Sequence, residues 1–244
     1  MFPCAQTNLQ LYRQLGAGGY AAAEIETVAG AYELGLRLFP GMYRGSGKPF
    51  LAHLVGTASV LASLRARAPV VATGLLHAVY THGEFGNGWR GMSDPKRVAV
   101  RGAVGEEVED LIARYTKLTW RRDTIPQIGA RVETMTPVER DVLLVRLANE
   151  LEDHLDLGIL YAADVEARRE FMRADLPATV AMAERLGYPA LASGLAETFA
   201  EVAGAQIAPG LQRGHGTTFQ IPLASHRLRL RVVLSHLIDR WPWR

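Results

Sequence analysis

The chain has 244 residues, of which 48% are hydrophobic and 21% charged, enough for one domain with a substantial buried core. The net charge of +2 is too small to indicate a general nucleic-acid-binding surface, and no apolar run approaches the roughly 18 residues that cross a bilayer. A single cysteine, Cys4, excludes an internal disulfide and a multi-cysteine metal site. The N-terminus lacks a secretion-signal pattern, so we expect a soluble cytoplasmic protein without nucleic-acid or membrane partners.

Apolar residues recur at three- and four-residue intervals, with almost no alternation of period two, and this pattern predicts helices. Thr136 and Glu139 have the spacing of a capping box, and Pro95, Pro137 and Pro189 fit first helical turns. The predicted helices span residues 22–38, 49–64, 69–81, 95–103, 106–120, 137–157, 165–173, 176–186, 189–204 and 225–240. Stretches rich in glycine and proline at 40–49 and 83–95 are predicted loops.

We therefore predict an all-α fold, with one helical domain at 1–204 and a basic extension at 205–244 that docks on it. The extension has six arginines and one aspartate, and its segment TTFQIPL is predicted to be extended. Two roles stay open for its helix. Its arginines either lie in solvent, or Arg227, Arg229 or Arg231 faces a cleft or partner and attracts phosphate or carboxylate groups.

Two histidines lie on apolar predicted helices beside small side chains. His53 shares its helical face with Gly56 and Thr57, and His77 shares its face with Thr73 and Gly74. One such histidine is more often a hydrogen-bonded core residue than a ligand. Two of them, each with small neighbours, indicate a shared cavity, because small side chains leave space around an imidazole.

The segments RGSGKPFLAHL, VVATGLLHA, EEVEDLIARYTKL and LLVRLANELEDHLDL follow one another between residues 44 and 157. In order and spacing they resemble the hydrolase domain of the RelA/SpoT homologue family, the (p)ppGpp hydrolases of the HD superfamily. The resemblance implies an HD-domain-like helical bundle with a divalent metal ion, Mn²⁺, Fe²⁺ or Zn²⁺. It also implies that His53 and His77 are metal ligands and that Arg44 and Ser46 lie in the loop that contacts the nucleotide base.

The chain departs from that family at the acidic positions. Ala78 stands where the family has a metal-binding Asp, Asn149 replaces a later Asp, and Thr81 with His82 replaces the catalytic Glu–Asp pair. Carboxylates offset the charge of a hard divalent cation. The metal set His53, His77 and Asn149 is therefore predicted to be weak or absent, and the usual group that activates water is missing.

Other side chains are placed to take over these roles. Asp153 lies one helical turn after Asn149, with Glu150 between them, and His82 would need a break in its helix to reach the same cavity as His77. Trp89 and Arg90 lie in a loop that is either a lid or an ordinary connector. The candidate catalytic residues are His77, His82 and Glu84, and the candidate ligand-binding residues are Arg44, Ser46, Lys48, Asn149 and Asp153.

Three functions remain open on this sequence. We favour a cleft for a nucleotide, a sugar phosphate or another anionic metabolite, without conventional (p)ppGpp hydrolysis. The second is a metal-dependent phosphohydrolase that uses His53, His77 and a replacement carboxylate. The third is a metal-free biosynthetic enzyme with histidine as general acid or base. Homo-oligomerisation is left open as well.

Overall fold

A computed structural model describes residues 4–86, 88–163, 165–212 and 218–221. Within these residues the regular structure is helical apart from two short strands, which confirms the predicted all-α class. The predicted helix at 225–240 and its arginines lie outside the described residues. The α-helices are α1 (Asn8–Ala17), α2 (Ala22–Leu38), α3 (Phe50–Ser63), α4 (Ala68–Leu76), α5 (Val79–His82), α6 (Asp94–Val104), α7 (Glu106–Lys117), α8 (Ile125–Ala130), α9 (Pro137–His154), α10 (Val165–Arg185) and α11 (Pro189–Gly204). Short 3-10 helices span Val132–Thr134, Leu155–Tyr161 and Pro209–Leu211.

Helix α3 lies at the centre of the bundle, in contact with α1, α4 and α9. Its side chains are buried almost all round, and Leu54 and Leu61 have no exposed surface. Complete burial of a leucine stabilises the fold by about 1.5–3 kcal/mol. This packing fixes the position of His53, which is on the same helix. None of the helices in the described ranges is both long and apolar enough to cross a bilayer.

The predicted helix at 69–81 is wrong in one respect, because the structure divides it into α4 and α5 at His77 and Ala78. The His77 Nδ1–H donates to the carbonyl of Gly74 at 2.8 Å. In an uninterrupted helix that carbonyl would accept the backbone N–H of Ala78. The side chain of His77 thus takes a backbone acceptor at the point where the helix ends.

Other predictions of the number and bounds of the helices also need correction. Helix α10 is continuous from Val165 to Arg185 and contains Pro177, whereas two helices were predicted at 165–173 and 176–186. Helix α9 ends at His154, and Asp156 and Leu157 adopt positive φ angles of 56° and 57°. Helices α1 and α8 were not predicted, since α8 has only six residues and α1 is short and mostly polar.

The two strands form an antiparallel ribbon that joins distant parts of the chain. Strand β1 (Met42–Tyr43) pairs with β2 (Phe219–Gln220), which confirms an extended conformation for the described part of the TTFQIPL segment. The rings of Tyr43 and Phe219 stack with their centroids 5.6 Å apart. The ribbon therefore holds the chain immediately before the loop at 44–48.

Candidate metal and anion site

A cavity of about 660 Å³ lies beside the loop at 44–48 and is bounded by α9, the 3-10 helix Leu155–Tyr161, α10 and α11. Its volume is in the range of cavities that bind small molecules. The side chains around it include acidic groups, basic groups and imidazoles. The charged and imidazole residues of its lining are Arg44, Lys48, Arg146, Arg168, Glu150, Glu152, Asp153, Asp175, His53, His82 and His154.

His53 contacts two carboxylates at the wall of this cavity. Its Nδ1–H donates to Glu152 Oε2, and Asp153 Oδ1 lies 3.4 Å from the same nitrogen. His53 and Glu152 are both buried, whereas Asp153 is partly exposed. One donor atom from each of the three residues lies within 4.8 Å of the other two. We call His53, Glu152 and Asp153 the histidine–carboxylate cluster.

Glycine at position 56 makes room for Glu152. A Cβ atom on Gly56 would lie 2.7 Å from Glu152 Cγ, closer than real Cβ contacts come. Glu152 is thus able to lie against α3 only because residue 56, three positions after His53, has no side chain. Gly56 was noted in the sequence as a small neighbour of His53, and the structure shows which group uses the space.

Two cations of the 44–48 loop pair with the carboxylates of the cluster. Arg44 pairs with Asp153, and Lys48 pairs with Glu152. Burial alone would raise the pKa of Asp153, but the charge of Arg44, followed by that of His53, holds this pKa well below its usual range. Asp153 is therefore ionised at neutral pH and available as an anionic ligand.

His77 lies against His53, with ring centroids 5.4 Å apart and the planes nearly perpendicular. Its other face contacts Tyr115 at 5.1 Å. Because Nδ1 donates to Gly74, Nε2 is the unprotonated nitrogen of the neutral ring. Burial, followed by the neighbouring His53, lowers the pKa of His77 to about 3, so this imidazole is neutral at physiological pH.

His82 lines the cavity, as the break between α4 and α5 allows. Its ring lies 5.4 Å from that of Phe50, and its Nδ1 is 2.9 Å from Thr81 Oγ1. Burial, with the charge of Arg90, lowers the pKa of His82 to about 4. The ring is therefore neutral at pH 7, with one nitrogen able to accept a proton.

The remaining predicted residues are placed differently. Ser46 lines the cavity, and Asn149 is buried on α9 with its Oδ1 unpaired among the described residues. Glu84 does not line the cavity, and its carboxylate accepts the N–H of Gly86 at 2.8 Å. Trp89 and Arg90 are also outside the lining, and the Lys96 ammonium group donates to the carbonyls of Trp89 and Gly91.

Glu152 is the member of the cluster that sequence reasoning missed. It lies three residues after Asn149, on the same helical face, just as Asp153 lies four residues after it. The i+3 spacing was therefore a usable signal. Lys117 and Leu118, at the end of the segment EEVEDLIARYTKL, line a second cavity of about 450 Å³.

The donors of the cluster fit a divalent metal ion. One imidazole and two carboxylates are ligands that Mn²⁺, Fe²⁺ and Zn²⁺ accept, and two carboxylates offset the charge of the ion. The nitrogen of His53 that faces both carboxylates is Nδ1, which would lose its proton on coordination. Both carboxylates come from α9, whereas the family resemblance placed acidic ligands at positions 78 and 149.

The fold and the cluster thus define an all-α protein with a histidine–carboxylate site beside a cavity. Residues 40–120, about a third of the chain, match the family described as "Domain of unknown function (DUF6817)". The chain is also similar to the guanosine-3′,5′-bis(diphosphate) 3′-pyrophosphohydrolase of Haemophilus influenzae, with 27% identity over 149 residues. That similarity covers 60% of this chain, and the chain spans about a fifth of the length of this relative.

Proposed function

We propose that this protein is an HD-like, metal-dependent phosphohydrolase that acts on a phosphorylated small molecule. The observation that carries the proposal is the cluster of His53, Glu152 and Asp153 at the wall of a ligand-sized cavity. The weak similarity to a pyrophosphohydrolase and the hydrolase-like order of sequence motifs support the same class. In this proposal α9 supplies the carboxylates that the sequence lacks at positions 78 and 149.

The histidine–carboxylate cluster and the cations of the 44–48 loop have separate roles, one in binding the metal ion and the other in binding the anion. His53, Glu152 and Asp153 hold a divalent ion, which supplies Lewis-acid activation of a phosphate ester. Arg44 and Lys48 pair with two of these carboxylates and lie on the same cavity wall. When the two carboxylates bind the metal ion, Arg44 and Lys48 are free to bind phosphate oxygens.

His82 is the proposed proton acceptor in place of the Glu–Asp pair of the similar family. It lines the same cavity as the cluster, and its depressed pKa keeps it neutral above about pH 4. A neutral imidazole accepts a proton from an attacking water and then donates it to a leaving group. His77, which contacts His53 and donates to Gly74, serves to position the His53 ring.

A second candidate function is binding of an anionic metabolite without turnover. The ion pairs Arg44–Asp153, Lys48–Glu152 and Arg146–Glu150 favour it, since each places a cation and a carboxylate together at the cavity wall. Such pairs neutralise the carboxylates without a metal ion. The phosphate of a nucleotide or sugar phosphate would then replace the carboxylates as the partner of Arg44 and Lys48.

The experiment is a calorimetric titration of the purified protein with Mn²⁺, followed by a screen of nucleotides and sugar phosphates for binding and for phosphate release. Metal binding with turnover supports the hydrolase, and anion binding without turnover supports the second candidate. Arg44→Ala should weaken the best anionic ligand by about 1–3 kcal/mol, because a charge-assisted contact is lost.

The control is Arg121→Ala, which removes an exposed arginine that pairs with Asp123 and lies outside the cavity. This variant should bind the anionic ligand as the unmodified protein does. If only uncharged compounds stabilise the protein, or if Arg44→Ala binds the anion unchanged, the anion site at the 44–48 loop is wrong.

A further inference from the structure

The second cavity, of about 450 Å³, lies between the last turn of α7, helix α8 and the first two turns of α9. It has no lining residue in common with the cavity beside the 44–48 loop, so the proposed function leaves it without a role. Its volume is also in the range of cavities that bind small molecules. We call it the α7–α9 cavity.

The lining of the α7–α9 cavity changes from polar to apolar with burial. Its exposed residues are all polar and include Arg114, Lys117 and Arg131. Its buried residues, Val142 and Leu143, are both apolar and are 5% and 1% exposed. The cavity is therefore amphipathic, and it fits a ligand with an apolar body and a polar end.

Three further apolar side chains of the lining are only partly buried. Leu118, Ile128 and Met135 pack against the hydrophobic core and also line this cavity. A ligand that covers them removes apolar surface from water, and each buried methylene group adds to the favourable free energy. The body of the ligand is thus expected to be aliphatic rather than polar.

The cationic rim of the cavity, Arg114, Lys117 and Arg131, outnumbers the one carboxylate of the described lining, Glu139. Glu139 pairs with Arg131 at 3.3 Å, and Arg114 pairs at 2.7 Å with Asp110, which lies outside the lining. The Lys117 ammonium group has neither an ion pair nor a hydrogen bond within the part of the chain that the structure describes. One unpaired ammonium group attracts a singly charged anion and donates hydrogen bonds to it.

We propose that the α7–α9 cavity binds a monocarboxylate of the fatty-acid class, with its carboxylate at Lys117 and its aliphatic chain against Ile128, Val142 and Leu143. The chain's own residues 222–244 have the wrong charge for this rim, because they include five arginines and one aspartate. The proposal goes beyond the proposed function and does not depend on it, since no residue of the metal and anion site takes part.

The test is isothermal calorimetry on the full chain, without added metal, using hexanoate, octanoate, decanoate, octanol and octylammonium. The affinity of the carboxylates should rise by up to about fourfold per methylene group until the chain fills the cavity. Octanoate should bind at least about tenfold more tightly than octanol, because only octanoate carries a charge that matches Lys117. Octylammonium should bind more weakly than octanol.

Lys117→Gln removes the free charge at an exposed position of the rim. It should bring the affinity for octanoate within about threefold of that for octanol and leave octanol binding unchanged. Ile128→Phe enlarges a side chain of the lining and should weaken octanoate and octanol alike, by at least about tenfold. If Ile128→Phe fails to fold, Lys117→Gln decides. Arg13→Gln is the control, because Arg13 is exposed and lies outside both cavities, and it should change no affinity.

Equal affinity for octanoate, octanol and octylammonium overturns the proposal, and so does unchanged octanoate binding in Lys117→Gln. If an acidic peptide with a single leucine binds and octanoate does not, the cavity takes a protein partner and the proposal is overturned. Arg44→Ala separates this site from the proposed anion site. If Arg44→Ala loses octanoate and Lys117→Gln keeps it, the carboxylate binds at the 44–48 loop, which supports the anion site and overturns this proposal.

Discussion

Glu152→Gln tests the histidine–carboxylate cluster most directly, because it removes one charge and keeps the shape of the side chain. Two unit charges about 4 Å apart interact by about 4 kcal/mol at an effective dielectric of 20, and a divalent ion doubles the value before desolvation. If only a third of the single-charge value survives desolvation, affinity for Mn²⁺ falls about tenfold. We expect a loss of at least that size.

The variant should also lose stability. Glu152 is buried and contacts both His53 and Lys48, whereas the Lys48 side chain is 22% exposed and can move toward water. We therefore expect a loss of about 1–3 kcal/mol in the free energy of unfolding, measured by urea titration. A buried cation with no route to solvent would cost more, about 3–5 kcal/mol.

Glu150→Gln is the matched control on the same helix. Glu150 is also buried and pairs with a cation of the cavity wall, Arg146, but it is not part of the cluster. It should lose stability on the same scale and keep its Mn²⁺ affinity. Unchanged affinity in Glu152→Gln, or an equal loss in both variants, would refute the assignment of Glu152 as a ligand.

Three further predictions concern stability, pH and activity. Tyr80→Phe should lower the free energy of unfolding, measured by urea titration, by about 1 kcal/mol, because buried Glu109 loses a donor at 2.9 Å. Glu109 also pairs with Arg97 and Arg101, and an unchanged value would mean that these two pairs suffice. His154 is buried, and burial lowers its pKa from 6.5 to about 4, so the stability present above pH 6.5 should be lost as pH falls toward 4. For each such histidine the free energy of unfolding falls by about 1.4 kcal/mol per pH unit in this range, and His154→Asn should reduce this slope. Parallel plots of stability against pH for the variant and the unmodified protein would show that His154 is not the titrating group. With Mn²⁺, pyrophosphate release from ppGpp should stay below about 1 s⁻¹, because the Glu–Asp pair of the (p)ppGpp hydrolases is absent; faster turnover would show that His82 or another group replaces that pair fully.

The features that depend on neighbouring residues in the sequence were predicted, and the contacts between distant helices were not. The periodicity predicted most helices, and the small residues beside His53 and His77 predicted one shared cavity. The two rings lie 5.4 Å apart, but of the two only His53 lines the cavity. Glu152 was missed because its contact with His53 joins residues 99 positions apart on two helices. The i+3 spacing puts Glu152 on the same helical face as Asn149, but it does not state whether that face packs against α3.

The errors in helix bounds have local physical causes. A proline ends most helices, but α10 continues through Pro177. Its tertiary contacts with α11 and α8 outweigh the one backbone hydrogen bond that proline removes. The division at His77 required knowledge of where the imidazole points. That direction depends on the packing of α3 against α4, which the sequence of either helix does not contain.

The glycine at position 56 limits which side chain is possible at position 152. Because a Cβ there would overlap Glu152, the two positions are coupled, and a chain with alanine or a larger residue at 56 cannot hold glutamate at 152 in this conformation. Under the proposed function, glycine at 56 together with glutamate at 152 is a two-residue signature of a carboxylate ligand on α9. It then offers a way to sort chains without an aspartate at position 78 by whether α9 can bring a carboxylate to the histidine.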